Sequence, residues 1–349
     1  MSQQKVIISE ALNKSLEEAI SECEHDMIFV LADETTAKCC VPVVEEFDFM
    51  KGAKNIVIEA TDTHKNIASL MNVWKALSEG KATRHTLLIN IGGGMVTDLG
   101  GFAASTFKRG INYINIPTTL LSMVDASVGG KTGINFLGLK NEIGVFNNAA
   151  SVILDTEFLK TLDMENMLSG YAEMLKHGLI SDEKMLGELL AFDVEKPDLI
   201  QLKRMVADSV AVKQRIVTED PTEKGIRKAL NLGHTAGHAF ESLALQRKPV
   251  LHGYAVAWGL IVELYLSAIK TGFPTDKMRQ TVRFILDHYG KMDITCDDYP
   301  TLLELMTHDK KNVAGVINFT LLGGVGNILI NQTATKDEIY EAFDFYREG

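Results

Sequence analysis

The stretch His85-Thr-Leu-Leu-Ile-Asn-Ile91-Gly92-Gly93-Gly94-Met95-Val96-Thr97-Asp98, followed by an apolar run over residues 99–105, decides the fold. A β-rich apolar run enters three consecutive glycines and leaves them as a helical pattern. Glycines between a strand and a helix let backbone N–H groups close on a pyrophosphate, and the helix N-terminus adds the positive end of its dipole. The segment is not GxGxxG, and a triple glycine also serves as a plain tight turn. Of the two, the nucleotide cradle is the expected one.

The same texture extends outward from this point. Short apolar runs over residues 26–31, 55–58, 86–91 and 113–116 alternate with amphipathic helical patterns, which predicts βαβ units and a mostly parallel sheet. After Ser151-Val-Ile-Leu-Asp155 the pattern becomes long and helical, over residues 162–269 and again from Asp276. A β-like run at 317–322 and a second at 328–330 suggest a small hairpin across Gly323-Gly324. At 349 residues the chain is long enough for two domains. The expected organisation is an α/β N-terminal domain over 1–160 and a mainly α-helical C-terminal domain over 161–349.

Lys+Arg number 35 against 46 Asp+Glu, a net charge of -11, which argues against a nucleic-acid partner or an anionic membrane surface. An anionic substrate would therefore need a local basic pocket. The N-terminus lacks the features of a secretory signal. Cys23, Cys39, Cys40 and Cys296 form no metal-ligand spacing, so a reduced, cytoplasmic compartment is expected. The most apolar stretch, 255–269, carries Glu263 in its middle and is too short to span a bilayer; a buried helix and no membrane role are expected.

Two further segments concentrate chemistry. Asp125-Ala-Ser-Val-Gly-Gly-Lys131-Thr-Gly-Ile-Asn135, through Lys140-Asn141, gathers glycines, lysines and amides without an apolar face. It is not a P-loop, because Asp125 stands where GxxxxGK[ST] needs glycine. It reads as a second anion-binding loop or as a solvated glycine-rich surface loop. Arg227-Lys-Ala-Leu-Asn231-Leu-Gly-His234-Thr-Ala-Gly-His238 has helical spacing throughout, which puts Arg227, Asn231, His234 and His238 on one face. The histidine pair at i, i+4 suits a shared metal or hydrogen-bonded core histidines equally, and it lacks the glutamate of HExxH. His252 opens another helical pattern and is a third candidate. Glu173 lies in an otherwise apolar helical start, where an unpaired carboxylate is costly. One carboxylate with two or three imidazoles suits zinc with an open position. His177 is a ligand candidate or a packing residue.

GGGMVTD, INIPTTLLSMVDASVGGKTGIN, GLKNEIGVF, GYAEMLKHG, GIRKALNLGHTAGHAFE, LHGYAVA and HDKKN, in this order over about residues 55–325, resemble the 3-dehydroquinate synthase family. The resemblance implies a Rossmann-like domain followed by a helical metal-binding domain, the dehydroquinate synthase-like fold, with NAD and Zn2+ (or Co2+) as cofactors. It implies Glu173, His234 and His252 as metal ligands, where spacing alone would choose His234 with His238. It places Gly94, Met95, Val96, Thr97, Asp98, Thr118, Thr119, Lys131, Lys140, Phe158, Leu159, Lys160 and Thr161 around NAD, with Asp62 and Lys65 near its adenosine end. Substrate contacts would fall to Asp125, Lys131, Asn141, Glu173, Lys176, Lys213, Arg227, Asn231, His238 and one of Lys310 or Lys311. Arg109 would reach the substrate phosphate of a neighbouring subunit, which implies a homodimer.

The implied reaction converts an anionic sugar acid phosphate, 3-deoxy-D-arabino-heptulosonate 7-phosphate, into 3-dehydroquinate and phosphate. The alternatives are another sugar phosphate cyclase, such as a 2-deoxy-scyllo-inosose or 2-epi-5-epi-valiolone synthase, and a metal-dependent polyol dehydrogenase. Arg227 and Lys213 suit an acidic substrate better than a neutral sugar phosphate. Three positions depart from the family pattern: Thr97 replaces a glycine, Thr61-Asp62-Thr63-His64-Lys65 replaces DGExxK, and Tyr254 replaces the glutamate after HG.

Overall fold

The computed structural model describes residues 4–137, 139–307 and 316–349. They form two units: residues 1–163 with 202–210, and residues 164–201 with 211–349.

The alternating runs of the first unit become β1 (Lys5–Ile8), α1 (Leu12–Ser21), β2 (Ile28–Asp33), α2 (Thr36–Cys39), α3 (Val41–Glu45), β3 (Lys54–Ile58), α4 (Ile67–Glu79), β4 (Leu87–Gly92), α5 (Gly94–Thr106), β5 (Asn112–Pro117), β6 (Lys131–Phe136), β7 (Leu139–Phe146) and β8 (Ser151–Leu154). Six of the strands form one parallel sheet in the order β1-β8-β5-β4-β2-β3. The chain leaves β2 for β3 in one direction and returns through β4, β5 and β8 in the other. The reversal falls between β2 and β4, the switch point at which open α/β sheets hold ligands. β4 is buried along its whole length, as the uninterrupted run Leu-Leu-Ile-Asn-Ile requires of a central strand, and it delivers Gly92-Gly93-Gly94 to that point.

β1 and β8 are strands that the periodicity did not mark, because each is only four residues long. The glycine-lysine segment is also corrected. From Lys131 onward it is an antiparallel ribbon of β6 and β7, with Gly133 opposite Gly144. A Cβ at Gly144 would lie 2.1 Å from the Thr132 carbonyl, so the ribbon needs glycine there. Every residue of β7 is exposed, which removes the burial contrast from which a strand is usually recognised.

The second unit holds α6 (Met164–Leu179), α7 (Glu183–Ala191), most of α8 (Leu199–Glu219), α9 (His234–Leu245), α10 (His252–Thr271), α11 (Thr275–Tyr289), α12 (Tyr299–Thr307), the hairpin β9 (Phe319–Gly324) and β10 (Asn327–Gln332), and α13 (Lys336–Glu348). The hairpin turns at Val325-Gly326, with Gly326 at φ +77°, two residues beyond the Gly323-Gly324 expected. α10 is 20 residues long and, by length and composition, apolar enough to cross a membrane, so the shorter span expected for it is corrected. It is nonetheless the core helix of its unit, buried from Gly253 through most of its length.

Small residues set how closely α10 packs. A Cβ at Gly253 would lie 1.9 Å from the Ser169 carbonyl of α6, and one at Gly259 would lie 2.0 Å from the Gly233 carbonyl before α9. Gly253→Ala must therefore push α6 and α10 apart, at a cost of about 3 kcal/mol or more. Gly187, inside α7, has nothing within 4 Å of its Cβ position. Gly187→Ala should stabilise by about 1 kcal/mol through helix propensity. Urea unfolding of the two variants should show these opposite signs.

Candidate active site

In the first unit, Gly93 has extended backbone at the start of α5, and no side chain caps that helix. A Cβ on Gly93 would lie 3.2 Å from Thr119 Cγ2, and one on Gly94 would lie 3.1 Å from Ala126 Cβ. The uncapped amides and the space kept clear by glycine fit a pyrophosphate. Thr97 is buried and its hydroxyl donates to the Gly94 carbonyl at 3.2 Å, so this departure closes on the helix itself. Thr118 N–H donates to the Gly92 carbonyl. Phe158, Leu159, Lys160 and Thr161 follow β8 in a short 3-10 helix that Asp155 caps. Cys40, which the sequence did not single out, lies beside the Thr118 and Thr161 hydroxyls, and burial pushes its thiol up to about 11. That leaves it protonated and unreactive.

Below the glycine turn, Lys65 is buried and donates to Asp98 Oδ2 at 3.1 Å and Asn141 Oδ1 at 2.6 Å, with Asp62 Oδ1 at 3.4 Å. Asn135 Nδ2 donates to Asp62, and Lys140 Nζ lies 3.6 Å from the same carboxylate. Burial opposes ionisation of Asp62, but Lys65 and Lys140 outweigh it and hold the carboxyl below its usual range. Burial pushes Asp98 up against the pull of Lys65. This network ties the loop at 62–65 to α5 and to the ribbon, so Asp62, Lys65, Asp98, Lys140 and Asn141 share one electrostatic cluster. Asp125 lies in the turn after β5, and Lys131 begins β6. Arg109 is exposed just after α5, within Lys108-Arg109-Gly110, all three at positive φ.

In the second unit, the expected single helical stripe is broken. Ile226–Asn231 is a short 3-10 helix, and Gly233 at φ +78° turns the chain before α9 begins at His234. A left-handed residue cannot continue an α-helix, so Arg227 and Asn231 do not share a face with the histidines. Arg227 is buried, with Nη1 donating to the Pro221 carbonyl at 2.7 Å and its N–H donating to Asp220 Oδ2 at 3.1 Å. Asn231 Nδ2 donates to Glu223 Oε1 at 2.9 Å. Lys213, on α8, is buried as well.

Glu173 on α6 is fully buried, and neither side-chain oxygen receives a hydrogen bond. Lys176 Nζ touches one oxygen; His234 Nε2 and His252 Nε2 stand 3.4 and 3.6 Å from the other. Burial raises the Glu173 carboxyl, but Lys176 and His234 outweigh it and hold it well below its usual range. His234 Nδ1 faces the Leu232 carbonyl at 3.1 Å, and His252 Nδ1 faces Glu241 Oε2 at 3.4 Å. With a metal bound, Nδ1–H would donate in each and leave both Nε2 atoms facing the position beside Glu173. Burial lowers the His252 imidazole, yet Glu241 and Glu173 outweigh it and lift it to about 10. His238 completes a cluster of three imidazoles whose ligand atoms lie within 4.8 Å of one another. A desolvated carboxylate beside two imidazoles whose Nδ1 atoms each face an acceptor fits a divalent metal with an open coordination position.

Tyr254 stacks edge-on against Tyr289 and Trp258, away from the carboxylate role of the residue it replaces. His177 is fully buried on α6. Lys310 and Lys311 lie outside the described residues. Sequence reasoning missed Glu241, although it follows His234 and His238 at helical spacing. It also left Glu263 unexplained.

Residues 55–169 match the family described as 3-dehydroquinate synthase N-terminal, and residues 170–312 match 3-dehydroquinate synthase C-terminal. The chain is 54% identical over its full length to the 3-dehydroquinate synthase of Parabacteroides distasonis, covering 99% of that protein. It is 39% identical to that of Pyrococcus furiosus over 81% of this chain and 82% of the relative. Among solved structures, 2-epi-5-epi-valiolone synthase from Streptomyces hygroscopicus, with NAD+ and Zn2+ bound, superposes with a TM-score of 0.87 at 23% identity, covering 100% of this chain and 98% of that one. A 2-deoxy-scyllo-inosose synthase complexed with carbaglucose-6-phosphate, NAD+ and Co2+ superposes with a TM-score of 0.84 at 25% identity, covering 99% and 96%.

Lys65→Met leaves the part-buried Asp98 without its cation and should cost up to about 3 kcal/mol. Adding Asp98→Asn removes the stranded charge, so the double variant should regain much of that loss in thermal unfolding.

Proposed function

The chain belongs to the 3-dehydroquinate synthase family, and on that premise we propose how its residues convert 3-deoxy-D-arabino-heptulosonate 7-phosphate into 3-dehydroquinate and phosphate. It is a lyase-type enzyme. Residues 1–160 are assigned the NAD site and residues 161–349 the metal and the substrate carboxylate. The observation that carries this assignment is the buried, unbonded Glu173 between the Nε2 atoms of His234 and His252.

Glu173, His234 and His252 would hold the metal, zinc or cobalt, and the glycine turn with Gly94 to Asp98, Thr118, Thr119, Lys131, Lys140 and Phe158 to Thr161 would hold NAD. When bound, the metal supplies a Lewis acid for substrate hydroxyls, and NAD supplies a hydride acceptor that is restored within the same turnover. Arg227 binds the substrate carboxylate, since burial and the Pro221 carbonyl already fix its guanidinium plane. Lys213 adds a second buried cation. Asn231, anchored on Glu223, orients hydroxyls. His238 and Lys176 border Glu173 and its imidazoles and serve to accept and return protons there. Lys131, Asn141 and one of Lys310 or Lys311 are assigned to the phosphate, and Asp125 to the substrate beside it.

A homodimer is part of the proposal, with Arg109 serving the partner's substrate phosphate. The ribbon supports it, because Phe136, Leu137, Leu139, Ile143, Val145 and Phe146 expose apolar side chains along β6, its turn and β7 that a second copy would cover. The cytoplasm is the proposed compartment, supported by four free cysteines.

Metal-loaded protein should release phosphate from the heptulosonate phosphate with NAD present, accumulate no NADH, and lose activity on chelation. Turnover of glucose 6-phosphate or sedoheptulose 7-phosphate instead would reassign it to another cyclase, and steady NADH production would reassign it to a dehydrogenase. Arg227→Ala should raise KM for the heptulosonate phosphate by at least about tenfold, the loss of one charge-assisted carboxylate contact. An unchanged KM would remove Arg227 from the carboxylate site.

A further inference from the structure

Glu263 lies near the middle of the apolar α10 and is fully buried. Its side chain accepts from Gly233 N–H at 2.7 Å (Oε2) and from Ala236 N–H at 3.1 Å (Oε1). These are backbone donors at the start of α9, which has no cap from its own N-cap residue, because that residue is Gly233. The cap therefore comes from another helix. Its two bonds bracket His234, the first residue of α9.

The corner is gripped from α10 at two further points. Gly259 packs against the Gly233 carbonyl, and Leu260 occupies the space where a Cβ on Gly233 would stand, 2.8 Å away. His234 Nδ1 faces the Leu232 carbonyl, and that carbonyl belongs to the same corner. The direction of His234 Nε2 toward Glu173 is thus set by backbone atoms that α10 holds in place. The same helix supplies His252 at its N-terminus, three turns from Glu263.

We infer that Glu263 is a positioning residue for the metal site: it fixes the Leu232-Gly233-His234 corner and so aims His234 Nε2 at the position between Glu173 and His252. This rests on the metal assignment proposed above. A carboxyl group suits the task because it can accept two N–H bonds at once, one on each oxygen. A glutamine of the same length offers one acceptor oxygen and turns an NH2 toward the other amide.

The test is Co2+ binding to metal-free wild-type, Glu263→Gln and Glu263→Ala proteins, by chelator competition and by the visible absorption of bound Co2+. Glu263→Gln should weaken Co2+ binding by about 10- to 100-fold, the range for outer partners of ligand histidines, and should shift the absorption bands. Glu263→Ala, which loses both acceptors, should weaken it at least as much. If either folded variant binds Co2+ with wild-type affinity and spectrum, even with a lowered unfolding temperature, Glu263 is a helix cap only and the inference is overturned. Wild-type protein that binds no Co2+ would instead overturn the metal assignment itself.

Discussion

The closeness of α10 to its neighbours is the constraint on which the second unit depends. Gly253 meets the backbone of α6 at Ser169, whose hydroxyl also accepts the Gly253 N–H at 3.1 Å. Gly259 meets the Gly233 carbonyl just before α9. Residues with a Cβ at these points would separate the helices by more than the site tolerates. Glu173 stands one turn beyond Ser169, His252 one residue before Gly253, and His234 one residue after Gly233. The glycines that permit the packing are thus next to the groups it brings together.

That packing also explains the cost of the site. Glu173 is fully buried with no hydrogen bond to either oxygen, and ionic neighbours hold it. Such a group destabilises a fold unless something else meets it. The imidazoles facing it are each fixed from behind, one by a backbone carbonyl and one by Glu241. A buried carboxylate facing two imidazole Nε2 atoms suits a cation better than it suits stability.

The first unit follows a different logic. Its chemistry depends on backbone, where a sheet reversal leaves the end of β4 open and three glycines keep side chains out of it. Charge enters from one side, through Lys65 and the carboxylates of Asp62 and Asp98. The ribbon of β6 and β7 joins this cluster through Asn135 and Asn141. Lys65 and Lys140 are balanced there by Asp62 and Asp98, so an anionic ligand on this unit is left to the backbone amides of the glycine turn.

By itself the sequence determined the two-part architecture, the parallel sheet and the glycine turn, because period-2 and period-3.6 patterns and glycine runs are local properties of the chain. It also supplied the candidate groups. The ordered motifs singled out Glu173, His234 and His252 where helical spacing favoured His234 with His238, since spacing compares residues on one helix while this cluster draws on three. Only the tertiary structure decided that Gly233 breaks the stripe from Arg227 to His238, because a left-handed corner is stabilised by packing against α10. It alone gave Glu263 its partners, 27 and 30 residues away in the chain, and paired His252 with Glu241. Contacts between helices are set by which faces meet, and that is a property of the assembled unit.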